Sequence, residues 1–356
     1  MKIVRMKTHK EYNVIIDYGL LNRAGDYIYS AIGGDIAAIV TDDMVSSLYL
    51  ERLRTSLKTA NYQTAVFTLR NGEASKNVFT YSRVLEFLAE NRITKSDVVV
   101  ALGGGVVGDI ASFAAATYMQ GIPYAQIPTT LIAAVDSSIG GKTALNLDAG
   151  KNLVGAFHQP GVVLCDLEFL EKLPPRVFVE GCASVIKFAM IADDGLFHML
   201  GNGNSLELKE IVARCVELKR DIVCEDELEN GARSLLDFGH TIGHAIEHLS
   251  KYKISHGKAT SIGMATETMA AVRLGMCDEE CYDSLVGLLH KFGLPIRTRF
   301  EADEVLRAAM TDKKRNGESM TLVFPRRIGK CILSSVNIEK YERIIKERTS
   351  AAGGMV

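Results

Sequence analysis

A chain of 356 residues, 47% apolar and 24% charged, is long enough for two domains and a substantial core and is ordinary for a soluble globular protein. A formal net charge of −2 with no basic or acidic tail excludes the footprint of a nucleic-acid binder, so any phosphate binding must be local. The amino terminus carries no apolar stretch long enough for a signal peptide or membrane span, which predicts a cytoplasmic protein, and seven cysteines without a C-x-x-C pair read as small core hydrophobes.

In chain order, Ile36 to Val40 predicts a buried strand, Val45 to Thr59 an amphipathic helix, Thr64 to Leu69 a strand, Val78 to Asn91 a helix and Val98 to Leu102 a strand. That alternation implies a mostly parallel, Rossmann-like sheet flanked by helices. Gly103-Gly104-Gly105-Val106-Val107-Gly108-Asp109 follows directly and opens a helical run, the context in which G-x-G-x-x-G cradles a pyrophosphate on free N–H groups. The alternative is tight packing of a helix on a sheet. The acidic ribose partner expected after the next strand is missing, because that strand ends Gln126-Ile127-Pro128. Asp42, Glu73 and Lys76 are candidates to stand in for it.

Thr129, Thr130, Asp136, Lys142, Lys151 and Asn152 then fall in what reads as a loop region rich in hydroxyls and charge. Gly140-Gly141-Lys142-Thr143 resembles the end of a P-loop, but Asp136 occupies the position of its first glycine. An anionic substrate beside a cofactor suits these residues better than a nucleoside triphosphate.

From Pro174-Pro175 onward the strand signals fade, placing a boundary between an α/β domain over 1–174 and a mainly helical domain over 175–356. Helical periodicity covers Phe178 to Ile191, Leu208 to Cys224, Gly231 to Leu249, Ala259 to Leu274 and Tyr282 to Phe292. Thr321 to Phe324 and Lys330 to Ser334 suggest a hairpin, and Ser350 to Val356 a disordered tail. Within Arg233 to His248, read as one helix at about 100° per residue, Arg233, His244 and Asp237 lie roughly 20°, 40° and 60° from His240. Four polar groups on one face flanked by Leu235, Leu236, Phe238, Ile242 and Ala245 need a ligand, metal or water to satisfy them. The alternative is a solvated helix with two surface histidines, and His256 in Ser255-His256-Gly257 weighs against it.

Taken in order, VDSSIGGKT, GKNLVGAF, LPPR, VIKF, FGHTIGHA, SHGKA and Asp312-Lys313-Lys314 resemble the 3-dehydroquinate synthase family of the sugar phosphate cyclase superfamily. The resemblance implies an NAD-binding α/β domain, a helical metal and substrate domain, a site in the cleft between them and a homodimer. It also implies 3-deoxy-D-arabino-heptulosonate 7-phosphate as substrate, with NAD used catalytically. The implied NAD contacts are Asp42, Glu73, Lys76, Gly104, Gly105, Asp109, Thr129, Thr130, Asp136, Lys142, Lys151 and Asn152. Substrate contacts fall on Asp136, Lys142, Asn152, Lys187, Lys219, Arg233, His244 and Lys313 or Lys314. Lys219 and Arg233 suit a substrate carboxylate. A divalent metal, zinc or cobalt, is implied at His240, His256 and the position of Ser184.

Four positions depart from the family pattern. Ser184 replaces the metal-binding glutamate of G-x-A-E-V-I-K, Gln120 replaces an arginine, Asp237 an asparagine, and Lys258 a glutamate. Two imidazoles and a hydroxyl hold a cation less well than a set containing a carboxylate. Either Asp237 supplies the missing carboxylate, or the Lys258 ammonium occupies the emptied region or pairs with Asp237 and leaves the site metal-poor, or the two form a structural ion pair of no consequence for turnover. The expected activity is that of a 3-dehydroquinate synthase. The alternatives are a cyclase of altered specificity or weak activity, an NAD-dependent polyol dehydrogenase, and a noncatalytic NAD- or anion-binding homologue.

Overall fold

Apolar β-branched runs become the centre of a seven-stranded sheet. The computed structural model describes residues 1–202, 207–309, 315–316 and 319–351. The first elements are β1 (Lys2–Met6), β2 (Tyr12–Asp17), α1 (Ala24–Ala31), β3 (Ile36–Asp42), α2 (Asp43–Thr59), β4 (Gln63–Leu69), α3 (Val78–Glu90), β5 (Val98–Gly103), α4 (Gly105–Thr117) and β6 (Tyr124–Pro128). There follow β7 (Lys142–Leu147), β8 (Gly150–Phe157), β9 (Val162–Asp166), α5 (Leu167–Glu171), α6 (Pro175–Ala192), α7 (Asp194–Asn202) and α8 (Leu208–Glu225). The remainder is α9 (His240–Leu249), α10 (His256–Arg273), α11 (Glu279–Lys291), α12 (Ala302–Ala309), β10 (Arg315–Asn316), β11 (Ser319–Arg327), β12 (Lys330–Asn337) and α13 (Ile338–Ala351).

The sheet order is β1-β2-β9-β6-β5-β3-β4, parallel except for the β1–β2 pair. Continuous apolar runs such as Val98 to Leu102 are explained by burial on both faces. One face packs Leu53 and Leu57 of α2, the other Val84 and Leu88 of α3 with Val107 and Ile110 of α4. Asp97, before β5, accepts the Ile36 N–H at 2.8 Å, the Asp35 N–H at 3.2 Å, and the Thr94 N–H and hydroxyl at 2.7 and 2.6 Å. It ties the start of β5 to that of β3.

Three expectations change here. The loop region after Thr130 is a one-turn π-helix over Ala133–Ser137 followed by the β7–β8 hairpin. The chain forms two compact units that exchange more than once: Met1–Phe178 with Glu207–Leu228, and Val179–Leu206 with Glu229–Val356. A single cut near Pro174 misses that α8 returns to the sheet unit, where Lys209 pairs with Asp17, Lys2 with Glu217, and Lys219 with Asp136. Third, Gly231 to Leu249 is not one helix. A 3₁₀ segment, Ala232–Asp237, ends before Gly239, whose φ of 79° is a left-handed conformation suited to glycine, and α9 starts afresh at His240. The β11–β12 hairpin matches the expected one. The tail expected from Ser350 is helical to Ala351, and its last residues lie outside the described ones.

Candidate active site

The glycine run closes β5 and begins α4, with Gly104 as the residue before the helix. A Cβ at Gly105 would stand 3.1 Å from Ser137 Oγ, and one at Gly108 2.9 Å from Gln126 Oε1 in β6. Gly108 thus permits close helix-to-strand packing, and Gly105 leaves the helix N-terminus uncovered for an anion. Asp109, in the second turn, pairs with Lys76, which is buried and also donates to Asn152 Oδ1 at 2.6 Å. Burial pushes the Asp109 carboxyl up, against the pull of Lys76. Thr129 follows β6 with a buried hydroxyl that has no hydrogen-bond partner among the described residues, and the Thr130 side chain lies beside Gly104. Asp42 caps α2, its Oδ1 accepting the Met44 and Val45 N–H groups at 3.0 and 2.9 Å. That capping is a complete structural reason for an aspartate there.

Lys151 Nζ lies 3.8 Å from Glu73 Oε1, which also accepts from Asn146 Nδ2 at 2.7 Å. Lys142 opens β7 and is half-buried. Lys219 is paired with the side chain and backbone carbonyl of Asp136. Gln120 is exposed, with a φ of 61° next to Met119 at 48°.

In the helical unit, Lys187 and Ser184 are buried one turn apart on α6. Gly257 brings α10 against α6 so closely that a Cβ there would come within 2.2 Å of the Glu180 carbonyl, and this places His256 beside α6. The rings of His240, His244 and His256 cluster at centroid distances of 5.2, 5.2 and 6.0 Å. Two of them are backed by carboxylates: Asp237 Oδ1 lies 3.2 Å from His240 Nδ1, and Glu247 Oε1 2.8 Å from His256 Nδ1. His240 Nε2 is buried without a hydrogen-bond partner among the described residues. Burial foremost, then the Lys187 ammonium, lower the His240 pKa to about 3 against the opposing pull of Asp237, so the ring is neutral. His244, Glu247 and His256 each bring one ligand atom within 4.8 Å of the others. Arg233 is 1% exposed and is the largest fully buried side chain among the described residues.

Imidazole and carboxylate donors with an orphaned buried nitrogen fit a zinc- or cobalt-type ion. Asp237, however, is turned to the rear nitrogen of His240. Lys258 is half-buried with no ion-pair partner among the described residues, so the pair with Asp237 considered from the sequence does not form. Lys313 and Lys314 lie outside the described residues. The sequence reading missed Glu247, Asn146 and Glu267. Glu247 was detectable: seven residues after His240, it falls roughly 20° from it on the same helix face. Glu267, buried on α10, accepts the Gly239 N–H at 2.8 Å and fixes the break before α9, a long-range contact with no local signal.

The glycine-loop sheet segment and the histidine-bearing helical segment each match a family model, and together they place the chain in the class of cyclases built like dehydroquinate synthase. Residues 66–180 match the 3-dehydroquinate synthase N-terminal model and 181–315 the C-terminal one. The 3-dehydroquinate synthase of Streptococcus sanguinis is 41% identical over 98% of this chain and all of its own length. That of Enterococcus faecalis is 42% identical over 95% of this chain and 96% of its own. The chain belongs to the 3-dehydroquinate synthase family. Among solved structures, a 2-deoxy-scyllo-inosose synthase complexed with carbaglucose-6-phosphate, NAD+ and Co2+ superposes with a TM-score of 0.88 at 24% identity, covering 97% and 99% of the two chains. The 2-epi-5-epi-valiolone synthase of Streptomyces hygroscopicus with NAD+ and Zn2+ gives 0.86 at 27% identity, covering 96% and 97%. Dehydrogenases share the fold more distantly, as in the butanol dehydrogenase of Thermotoga maritima at 0.68 and 15%.

Proposed function

We propose that this chain converts 3-deoxy-D-arabino-heptulosonate 7-phosphate to 3-dehydroquinate and phosphate. The observation that carries the reading is end-to-end family membership in a chain that keeps a wholly buried guanidinium at Arg233 and a buried ammonium at Lys187. A buried guanidinium suits bidentate binding of a carboxylate, which separates this substrate from uncarboxylated sugar phosphates. The chemistry that NAD would supply here is reversible hydride exchange with a substrate carbinol, with no net accumulation of NADH. Gly104 and Gly105 offer the helix N-terminus to its pyrophosphate, and Thr129, Thr130, Lys76 and Asp109 line the same end of the sheet.

His240 and His256 would hold a divalent ion, which supplies Lewis-acid polarisation of a substrate oxygen. Asp237 and Glu247 orient these rings from behind. Lys187, whose ammonium acts on His240, adds positive charge where an oxyanion develops, and His244 holds a proton for the departing phosphate. The protein is proposed to act as a homodimer in the cytoplasm. All seven cysteines are free thiols, which suits a reducing compartment, and no helix among the described residues is long and apolar enough to cross a membrane.

The test is phosphate release from the heptulosonate phosphate, with and without added Zn2+ or Co2+, while absorbance of NADH is followed. Phosphate release without net NADH is expected. Stoichiometric NADH would make the protein a polyol dehydrogenase, and neither product would make it a noncatalytic binder.

A further inference from the structure

Asn146 lies between the two segments VDSSIGGKT and GKNLVGAF and belongs to neither. In the β7–β8 hairpin Leu145 pairs with Val154 and Leu147 with Gly150, so Asn146 alone faces Lys151, Asn152 and Leu153, and β8 carries the extra residues. The bulge in β8 interrupts the ladder and releases Asn146, opposite it, from regular pairing. Three hydrogen bonds use that release. The Asn146 N–H donates to the Lys76 carbonyl at 3.0 Å, Nδ2 donates to Glu73 Oε1 at 2.7 Å, and Oδ1 accepts the Asn152 N–H at 3.0 Å. One residue fastens the Glu73–Lys76 turn to the strand that carries Asn152.

The third bond acts on an unusual position. Asn152 has a φ of 56°, a left-handed conformation that is uncommon outside glycine and that asparagine tolerates better than most residues. In that conformation its Oδ1 accepts from Lys76 Nζ, and Lys76 pairs in turn with Asp109 on α4. A connected path therefore runs from Glu73 through Asn146, Asn152 and Lys76 to Asp109, all within the sheet unit. A hairpin staple with no further role would have no need to end on a buried lysine beside the glycine-loop helix.

We infer that Asn146 is a positioning residue for the dinucleotide site, holding Glu73, Lys76 and Asn152 in the arrangement that NAD meets. This rests on the NAD reading above. The test uses calorimetric NAD titration of the full chain freed of nucleotide, together with its melting temperature in the nucleotide-free state. Asn146→Ala should weaken NAD binding by at least about tenfold, the effect of hydrogen bonds lost from charged partners. The nucleotide-free melting temperature should move by no more than about 3 °C. Asn146→Asp sets a carboxylate against Glu73 and should also weaken binding. Combining Asn146→Asp with Glu73→Gln reverses the polarity of that bond and should recover affinity relative to Asn146→Asp alone. Unchanged affinity in Asn146→Ala, no recovery in the double variant, or a loss matched by a large fall in melting temperature overturns the inference. A parent that binds no NAD overturns the cofactor reading and this inference together, whereas a parent that binds it beside an unaffected Asn146→Ala overturns this inference alone.

Discussion

The sheet unit and the helical unit prepare their polar groups in opposite ways. In the sheet unit the cations already sit on acceptors: Lys76 on Asp109 and Asn152, Lys151 near Glu73, Lys219 on Asp136. In the helical unit His240 and His256 are each held by a carboxylate at one nitrogen, and His240 leaves the other buried and unpartnered among the described residues. The first arrangement is a closed network of charges and amides. The second is an open donor set. Substitutions in the first should alter binding geometry, and substitutions in the second should alter what ion is held and how tightly.

The largest effect is expected where the network leaves a gap. Gly105→Asp puts a carboxylate at the start of α4, where a Cβ alone stands 3.1 Å from Ser137 Oγ. NAD at about a thousand times its dissociation constant should stabilise the parent by about 4.1 kcal/mol and the variant not at all. Equal NAD-induced rises in melting temperature would remove the glycine loop from the cofactor site.

Arg233→Ala comes next, with an expected loss of about 2–4 kcal/mol in kcat/KM for the heptulosonate phosphate. An analogue lacking the carboxylate should be nearly indifferent. Losses of equal size for both compounds would show that Arg233 supports the fold of the helical unit and does not read the substrate.

The open donor set is sharpened by a metal-binding cycle. Ser184→Glu restores a carboxylate on α6 and should tighten Co2+ or Zn2+ binding by about 10–100-fold. Asp237→Asn should weaken it by roughly tenfold in either background, because a group acting through the rear of His240 is indifferent to what else binds the ion. Strong coupling between the two changes would instead make Asp237 a ligand that replaces the missing glutamate.

Much of this was legible in the sequence because it is local. The strands from Ile36, Thr64 and Val98 and the glycine loop depend on short runs whose burial and turn chemistry are written side by side. The histidines were found on the assumption of one continuous helix, yet Gly239 breaks it, and His240 meets Asp237 across that break because three residues span a tight turn. The return of α8 to the sheet, the β9 strand and the Glu267 bond to Gly239 rest on contacts distant in sequence, and no periodicity announces them. Asn146 escaped for a further reason: a bulge shows only once the register of both strands is known.

The smallest effect tests whether fold and site separate at all. Asp97 is 2% exposed and serves four hydrogen bonds at the start of β5, the opposite end of that strand from the glycine loop. Burial raises its carboxyl pKa, but the Thr94, Ile36 and Asp35 donors outweigh it and the net shift is downward. A carboxylate with a depressed folded pKa contributes stability that is present above the unfolded value of about 3.9 and is lost as pH falls through the folded one. Asp97→Asn should therefore cost about 1–2 kcal/mol at neutral pH, because one amide nitrogen cannot accept. The gap between parent and variant in denaturant titrations should narrow as pH drops below about 4. NAD affinity should be unchanged, since none of the four bonds touches the Glu73 to Asp109 network. A variant that loses stability and NAD affinity together would mean that the network is set by the whole sheet and not by its own hydrogen bonds.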